Sequence, residues 1–130
     1  MIQDTSFIID ILRGDENAKR LLDIVKKESR PQKVSSVTVL ELYEGVARSQ
    51  TPDTKQEQIL EILETKHVVS ADHTVMRKAG KLSGELIDGG ERIEREDCII
   101  AATAILNDEP LITRNTKHFG RIDTLEVRSY

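Results

Sequence analysis

The chain is best understood from the segment Asp97-Cys98-Ile99-Ile100-Ala101-Ala102-Thr103-Ala104, which follows a charged stretch at 91–96. Its residues predict a helix that is apolar on almost every side and begins at Asp97. A helix without a polar face has to be covered all round, so we expect it to be central and buried. The small residues behind Asp97 allow this helix to pack closely against the strands of a sheet.

Short strand-like runs alternate with helical patterns along the rest of the chain. We predict strands at 2–5, 33–36, 67–70 and 111–113, and a last one that holds Leu125 and Val127. We predict further helices at 6–14, 16–29 and 37–48, one that carries 59–63, and one at 72–87. This alternation predicts an α/β fold with a mostly parallel sheet flanked by helices, in one domain over 1–130. Sites in such sheets lie beyond the carboxyl ends of the strands, where Asp4 and Thr113 fall.

The composition limits the function. The 130 residues are 38% hydrophobic with 3% aromatic residues, so the chain is globular and its core is mostly aliphatic. A net charge of −4 argues against binding nucleic acid by bulk charge alone, but carboxylates that hold cations are compatible with a nuclease. The single cysteine excludes a disulfide framework and indicates a reducing compartment. No apolar run approaches the roughly 18 residues of a membrane span, and we see no secretion signal, so we expect a cytoplasmic protein.

Three carboxylates stand in otherwise apolar surroundings, where an uncompensated charge is costly. Asp4 follows the first strand and has two readings, a helix cap or a metal ligand, which are compatible with each other. Glu41 lies in an apolar helix four residues before Gly45, a spacing that leaves room for a substrate backbone or another chain. Asp97 heads the buried helix, where it also serves as an ordinary helix-start residue.

The segment Thr113-Arg114-Asn115-Thr116-Lys117-His118-Phe119 offers a second set of polar groups. Thr113 and Asn115 provide neutral oxygens for a metal or its waters, and the imidazole of His118 suits Mn²⁺ or Zn²⁺ better than Mg²⁺. Arg114 and Lys117 are candidate phosphate contacts. The simpler alternative for His118, Arg114 and Lys117 is a surface or hydrogen-bonded position. The chain has no glycine-rich phosphate loop, cysteine pair or nucleophile-elbow motif.

The order and spacing of these segments resemble the PIN-domain ribonucleases, and among them the VapC toxins of toxin–antitoxin pairs. The resemblance spans nearly the whole chain and rests on four motifs: Asp4-Thr5-Ser6, residues 35–45 around Glu41, residues 97–104 and residues 111–119. It implies a three-layer sandwich. It also implies that Asp4, Glu41 and Asp97 are the catalytic residues and bind Mg²⁺ or Mn²⁺.

The activity implied by the resemblance is metal-assisted hydrolysis of an RNA phosphodiester. Thr5, Ser6 and Asn115 would then support the metal and its waters from behind the carboxylates. Family members are commonly dimers, are inhibited by an antitoxin whose tail covers the acidic site, and often cleave tRNA or rRNA. A fourth acidic group is usual in the last motif. Here Asn115 stands where some relatives have Asp, and His118 stands where others have Asp or Glu.

Two alternatives to a toxin nuclease stay open at this point. The missing fourth acid fits a catalytically weakened PIN domain that acts as an RNA-binding or protein-interaction module. A PIN nuclease that processes RNA without an antitoxin fits the same motifs. Metal binding without cleavage of any RNA would favour the first of these, and an adjacent small gene for a DNA-binding protein would argue against the second.

Overall fold

The computed structural model describes residues 1–130 and contains five strands and seven helices. The strands are β1 (Ile2–Gln3), β2 (Lys33–Ser35), β3 (His67–Val69), β4 (Leu111–Ile112) and β5 (Val127–Arg128). The helices are α1 (Thr5–Leu12), α2 (Glu16–Lys27), α3 (Ser36–Ala47), α4 (Pro52–Leu63), α5 (His73–Asp88), α6 (Arg95–Leu106) and α7 (Thr116–Phe119). The alternation predicted from the sequence is therefore confirmed.

All five strands join in one parallel sheet in the order β3-β2-β1-β4-β5. The central strand β1 pairs with β2 on one side and with β4 on the other. Its register with β4 aligns Gln3 with Ile112, so the next residues, Asp4 and Thr113, leave the sheet side by side. The carboxyl edge of the sheet therefore brings together two segments more than 100 residues apart in the chain, as the sequence predicted.

The apolar residues form three clusters around this sheet. The largest has 15 buried residues and packs α5 and α6 over the sheet together with Phe119, Ile122 and Leu125. A second cluster joins α1 and α2 to the ends of β1 and β4, and a third joins α1 and β2 to α3 and α4. Six residues of α6 are buried, which confirms the central helix: Cys98, Ile100, Ala101, Ala102, Thr103 and Ala104.

Several element boundaries differ from the sequence-based prediction. The helix predicted to open at Asp97 begins at Arg95, so Asp97 lies inside its first turn and the charged loop ends earlier than expected. The short helix α7 was not predicted, because four residues are too few for a periodic pattern. Leu125 is buried in the core but precedes β5 instead of belonging to it. The other ends that were predicted differ from the structure by at most two residues, the usual ambiguity of frayed termini.

The helix starts show which acidic residues have a structural role. The side chains of Asp15, Ser35 and Asp72 each accept a hydrogen bond from a backbone N–H of the helix that they precede. Asp4 occupies the same position before α1, yet its side chain makes no such bond. The capping explanation for Asp4 is therefore wrong, and its carboxylate is committed elsewhere.

None of the seven helices combines the length and hydropathy that crossing a bilayer requires.

Candidate active site

An open cavity of about 410 Å³ lies at the carboxyl edge of the sheet. Its lining brings together residues from all four motifs: Asp4, Thr5, Ser6, Ile9, Glu41, Asp97, Arg114 and Asn115. The segments that follow β1 and β4 supply most of the lining, while α3 and α6 supply one carboxylate each. The three predicted carboxylates therefore share one cavity, although they lie far apart in the sequence.

Asp4 is buried, and hydroxyl groups from two segments of the chain hold its carboxylate. Its Oδ2 atom accepts a hydrogen bond of 2.7 Å from Ser6 Oγ and another of 2.7 Å from Thr113 Oγ1. Thr113 in turn accepts a 2.9 Å bond from the backbone N–H of Asn115, which fixes its hydroxyl. Both bonds to Asp4 fall on Oδ2, so the carboxylate has a fixed orientation and Oδ1 remains free for another ligand.

Glu41 extends from the second turn of α3 and meets the start of α1. Its Oε1 accepts a 2.7 Å hydrogen bond from Thr5 Oγ1, and that hydroxyl also lies 3.0 Å from Thr38 Oγ1. Burial raises the pKa of the Glu41 carboxyl, the bond from Thr5 opposes that rise, and the negative charge of Asp4 adds to it. Thr5 therefore orients Glu41 just as Ser6 orients Asp4.

Asp97 is the residue most affected by this crowding of charge. It lies in the first turn of α6, where the helix dipole favours a negative charge. Even so, burial and the nearby charges of Asp4 and Glu41 raise the pKa of its carboxyl to about 7. The three carboxylates therefore give the cavity an excess of negative charge, which a bound cation would offset.

The last motif divides into residues that face the cavity and residues that do not. Asn115 lines the cavity, and its Nδ2 lies 3.0 Å from Nδ1 of His118. His118 is 40% exposed, lies outside the cavity lining, and approaches Asp97 Oδ2 only to 4.0 Å. Lys117 is exposed on α7 and also outside the lining. The geometry therefore favours the simpler, hydrogen-bonded role for His118 over that of a metal ligand.

Arg114 lines the cavity as the one cationic residue there, and its position depends on residues that the sequence analysis missed. Its Nη1 donates a 2.9 Å bond to Asp10, which also accepts a 2.6 Å bond from the hydroxyl of Tyr130. Asp10 has the same sequence feature as Glu41, because it is a carboxylate inside an apolar helical run. Tyr130 has no such sequence signal, because only the tertiary fold brings it to α1.

The donor set fits a hard divalent cation. Three carboxylates with hydroxyl and amide oxygens nearby are the ligands that Mg²⁺ and Mn²⁺ prefer. No three of the chain's acidic, histidine or cysteine side chains lie close enough together to hold a metal ion by themselves. An ion in this cavity would therefore need water molecules as further ligands. Mg²⁺ commonly binds in this way, through a few carboxylates and several waters.

The fold and cavity together are those of a nuclease-like α/β domain, and comparison with known proteins agrees. Residues 1–125 match the PIN domain family. The chain belongs to the PIN domain family.

Within that family its relatives are VapC proteins. The chain is 31% identical to Ribonuclease VapC1 of Methanocaldococcus jannaschii over 131 aligned positions, which cover 100% of this chain and 86% of the relative. It is 28% identical to the tRNA(fMet)-specific endonuclease VapC of Shigella flexneri, with 75% of this chain and 74% of that protein covered. Among solved structures, VapBC2 from Rickettsia felis bound to a DNA fragment from its promoter superposes with a TM-score of 0.90 at 25% identity, covering 99% of this chain and 97% of that one.

Proposed function

We propose that the chain is a metal-dependent endoribonuclease that acts as the toxin of a VapC-type toxin–antitoxin pair. The observation that carries the proposal is the meeting of Asp4, Glu41 and Asp97 in one cavity at the carboxyl edge of the sheet. Membership of the PIN domain family and the likeness to VapC ribonucleases support the same reaction.

The three carboxylates are proposed to hold Mg²⁺ or Mn²⁺, which when bound would activate water and stabilise the charge that develops on the phosphate. The chain's own groups prepare this site. Ser6 and Thr113 fix the orientation of Asp4, and Thr5 fixes that of Glu41. Asn115 at the cavity wall can hydrogen-bond water or substrate. We propose that His118 acts only through its contact with Asn115.

The substrate is proposed to be RNA, with Arg114 as a phosphate contact at the cavity rim and Lys117 as a weaker one further out. The cavity is shallow and lined by no aromatic ring, so the RNA would be held through its backbone and shape more than by stacking. A structured tRNA is a natural first substrate to try, since the similar Shigella flexneri protein is a tRNA(fMet)-specific endonuclease. Ribosomal RNA is the second.

Cleavage of purified total RNA tests the proposal. The inhibitor-free chain is incubated with Mg²⁺ or Mn²⁺ and compared with Asp4→Asn. A matched control is Glu44→Gln, which removes an exposed carboxylate on α3 three residues from Glu41 and outside the cavity. We expect discrete, metal-dependent fragments from the wild type and from Glu44→Gln, and none from Asp4→Asn. Equal cleavage by all three proteins would remove Asp4 from the mechanism.

A cognate antitoxin is proposed as the protein partner, because the superposed Rickettsia felis structure is a VapBC complex. A second groove, of about 190 Å³, adjoins the acidic cavity through Ile9 and Glu41. Four apolar residues of α1, α3 and α4 line it together with the basic side chains of Arg13 and Lys55. A peptide could lie along this groove and place a basic side chain in the acidic cavity. Purification of the chain from its native host without any small co-purifying protein would count against this partner.

We also propose that the chain forms a homodimer. The outer face of α5 leaves Met76 and Ile87 about half exposed beside a shallow cavity that Gly80 and Gly84 leave open. Exposed apolar area of this kind often marks a protein interface. Sedimentation of the wild type against Met76→Glu is the test, with loss of the dimer expected for the variant.

The cytoplasm is the compartment that fits an RNA substrate.

A catalytically weakened PIN module is the second candidate, favoured by the absence of an acidic residue in the last motif, where Asn115 lines the cavity instead. It predicts that the folded chain binds a divalent metal and RNA but cleaves none. Expression of the chain without an antitoxin distinguishes a toxin from a processing nuclease, since only the toxin should arrest growth.

A further inference from the structure

Arg114 stands at the rim of the acidic cavity, yet none of the three cavity carboxylates holds it. Its side chain is 57% exposed and extends from the loop between β4 and α7. Its Nη1 atom donates a 2.9 Å hydrogen bond to Oδ1 of Asp10 on α1. A long, exposed side chain normally samples many rotamers, so this one contact restricts where the guanidinium can be.

Asp10 is itself held from the opposite side. Its side chain is only 7% exposed, and its second oxygen accepts a 2.6 Å hydrogen bond from the hydroxyl of Tyr130. The ring of Tyr130 packs edge-on against buried Phe7, with the ring centres 5.2 Å apart. Each oxygen of Asp10 therefore has one fixed partner, and burial together with the charge of Asp10 raises the pKa of Tyr130. The tyrosine hydroxyl therefore stays protonated and keeps donating.

The contact with Asp10 leaves most of the guanidinium unused. Arginine carries five N–H donors, and only one bond to Asp10 is formed. The remaining donors lie at the rim of a cavity whose other ionisable side chains are acidic. A phosphate group presents the pair of oxygens that a guanidinium binds best.

We propose that Asp10 and Tyr130 are positioning residues that hold Arg114 at the cavity rim, where its free donors bind a phosphate of the RNA. The proposal deepens the proposed ribonuclease function and rests on it for the identity of the ligand. Arg114 contacts the substrate, whereas Asp10 and Tyr130 act only through Arg114.

The chain contains a matched ion pair that lies away from the cavity. Arg128 on β5 donates bonds of 3.3 and 3.0 Å to the two oxygens of Glu28, which follows α2. Both pairs tie an arginine of the C-terminal part of the sheet to the helical layer of α1 and α2. Glu28→Gln therefore reproduces the loss of an arginine–carboxylate pair without touching the proposed RNA site.

The test measures binding of a fluorescein-labelled single-stranded RNA of mixed sequence by anisotropy over a range of salt. Ca²⁺ replaces Mg²⁺, because its looser coordination can fill an oxygen site while cleavage is suppressed. The proteins are the wild type, Arg114→Ala, Asp10→Asn, Tyr130→Phe, the double variant Asp10→Asn/Arg114→Ala, and Glu28→Gln as the control. Thermal unfolding of each protein accompanies the binding curves.

Loss of Arg114 should weaken binding about tenfold and reduce the slope of log affinity against log salt by about 0.7, the value for one phosphate contact on a single strand. Asp10→Asn and Tyr130→Phe should weaken binding about threefold, the size of a modest loss of positioning. The double variant should bind no worse than Arg114→Ala alone, since positioning has no effect without the arginine. Glu28→Gln should bind like the wild type.

Wild-type affinity and salt slope in both Asp10→Asn and Tyr130→Phe would overturn the positioning role. So would additive losses in the double variant, which would mean that Asp10 acts independently of Arg114. If Asp10→Asn does not fold, Tyr130→Phe carries the test, because it removes one hydroxyl and keeps the ring against Phe7. A wild type that binds RNA in Ca²⁺ but never cleaves it in Mg²⁺ or Mn²⁺ refutes only the nuclease, whereas one that binds no RNA refutes both proposals.

Discussion

The single residue that best shows how this site works is Asp97. Its folded-state pKa is raised to about 7 by burial and by its acidic neighbours. A carboxyl group with a raised pKa stabilises the fold when protonated, and that contribution is lost as the pH rises through the folded pKa. The metal-free chain should therefore lose stability between about pH 4 and pH 7 because of this group.

Asp97→Asn should remove both this pH-dependent loss of stability and the RNA cleavage. We expect the variant to melt at a higher temperature than the wild type at pH 8 in EDTA, and the difference to shrink towards pH 4. RNA cleavage by the variant should be lost. Adding Mg²⁺ or Mn²⁺ should raise the melting temperature of the wild type much more than that of the variant. A wild type that is the more stable protein at pH 8 without metal would contradict the electrostatic description of the cavity.

Thr113 gives a second prediction for a single residue, because its hydroxyl holds Asp4 without lining the cavity itself. Thr113→Val keeps the shape of the buried side chain and removes that donor. Loss of a group that orients a metal ligand usually lowers metal affinity or activity about 10- to 100-fold. Isothermal titration with Mn²⁺ measures the change. Thr54→Val, on the exposed start of α4, should titrate like the wild type.

The helices show the same distinction between acidic residues that cap and acidic residues that do not. The side chain of Asp72 accepts a 3.0 Å bond from the backbone N–H of Val75 at the start of α5, whereas Glu94 precedes α6 without a cap bond. Asp72→Ala should therefore cost about 1 kcal/mol of unfolding free energy, and Glu94→Ala much less. Urea unfolding of both variants measures the difference. Equal losses would mean that the cap bond at Asp72 has no special value.

The helices were predicted well where their pattern is long and poorly where it is short. The buried character of α6 follows from eight residues without a polar face, and the sequence alone predicts it. The start of α6 was misplaced by two residues, because Arg95 and Glu96 look like loop residues and only the backbone hydrogen bonds define the first turn. The missed helix α7 matters more, since it fixes the positions of Asn115 and His118.

The molecule as a whole depends on the cluster that α5 and α6 form over the sheet. Ile100 is fully buried within that cluster of 15 residues. Ile100→Ala should cost about 2–5 kcal/mol, because the surrounding side chains cannot close the cavity that it leaves. Leu106→Ala, near the exposed end of the same helix, is the control and should cost well under half as much. Urea unfolding of both variants measures the losses: the midpoint of the transition should shift while the dependence of the unfolding free energy on urea concentration stays the same.

The α/β fold, the central helix and the three carboxylates of the site could all be recognised in the order of the residues. Such features are local, because a strand end, a helical period or an acidic residue in an apolar run is visible within a few positions. The pairing of Asp4 with Thr113 could be expected from the parallel sheet, since neighbouring strands place their carboxyl ends together.

The partners of those carboxylates could not be predicted in this way. Only the tertiary structure shows that hydroxyl groups orient the Asp4 carboxylate, which does not cap α1. It also shows that His118 contacts Asn115, and that Asp10 contacts both Arg114 and Tyr130. For the contacts of Asp4 and Asp10, the physical reason is that hydrogen bonds of 2.6–2.9 Å depend on where distant backbone segments meet, and Tyr130 and Asp10 are 120 positions apart. For Asn115 and His118, only three residues apart, the reason is the short helix α7, which has no periodic pattern. Local chemistry therefore singles out the three carboxylates of the cavity, and the packing of distant segments sets their geometry and raises the pKa of Glu41 and Asp97.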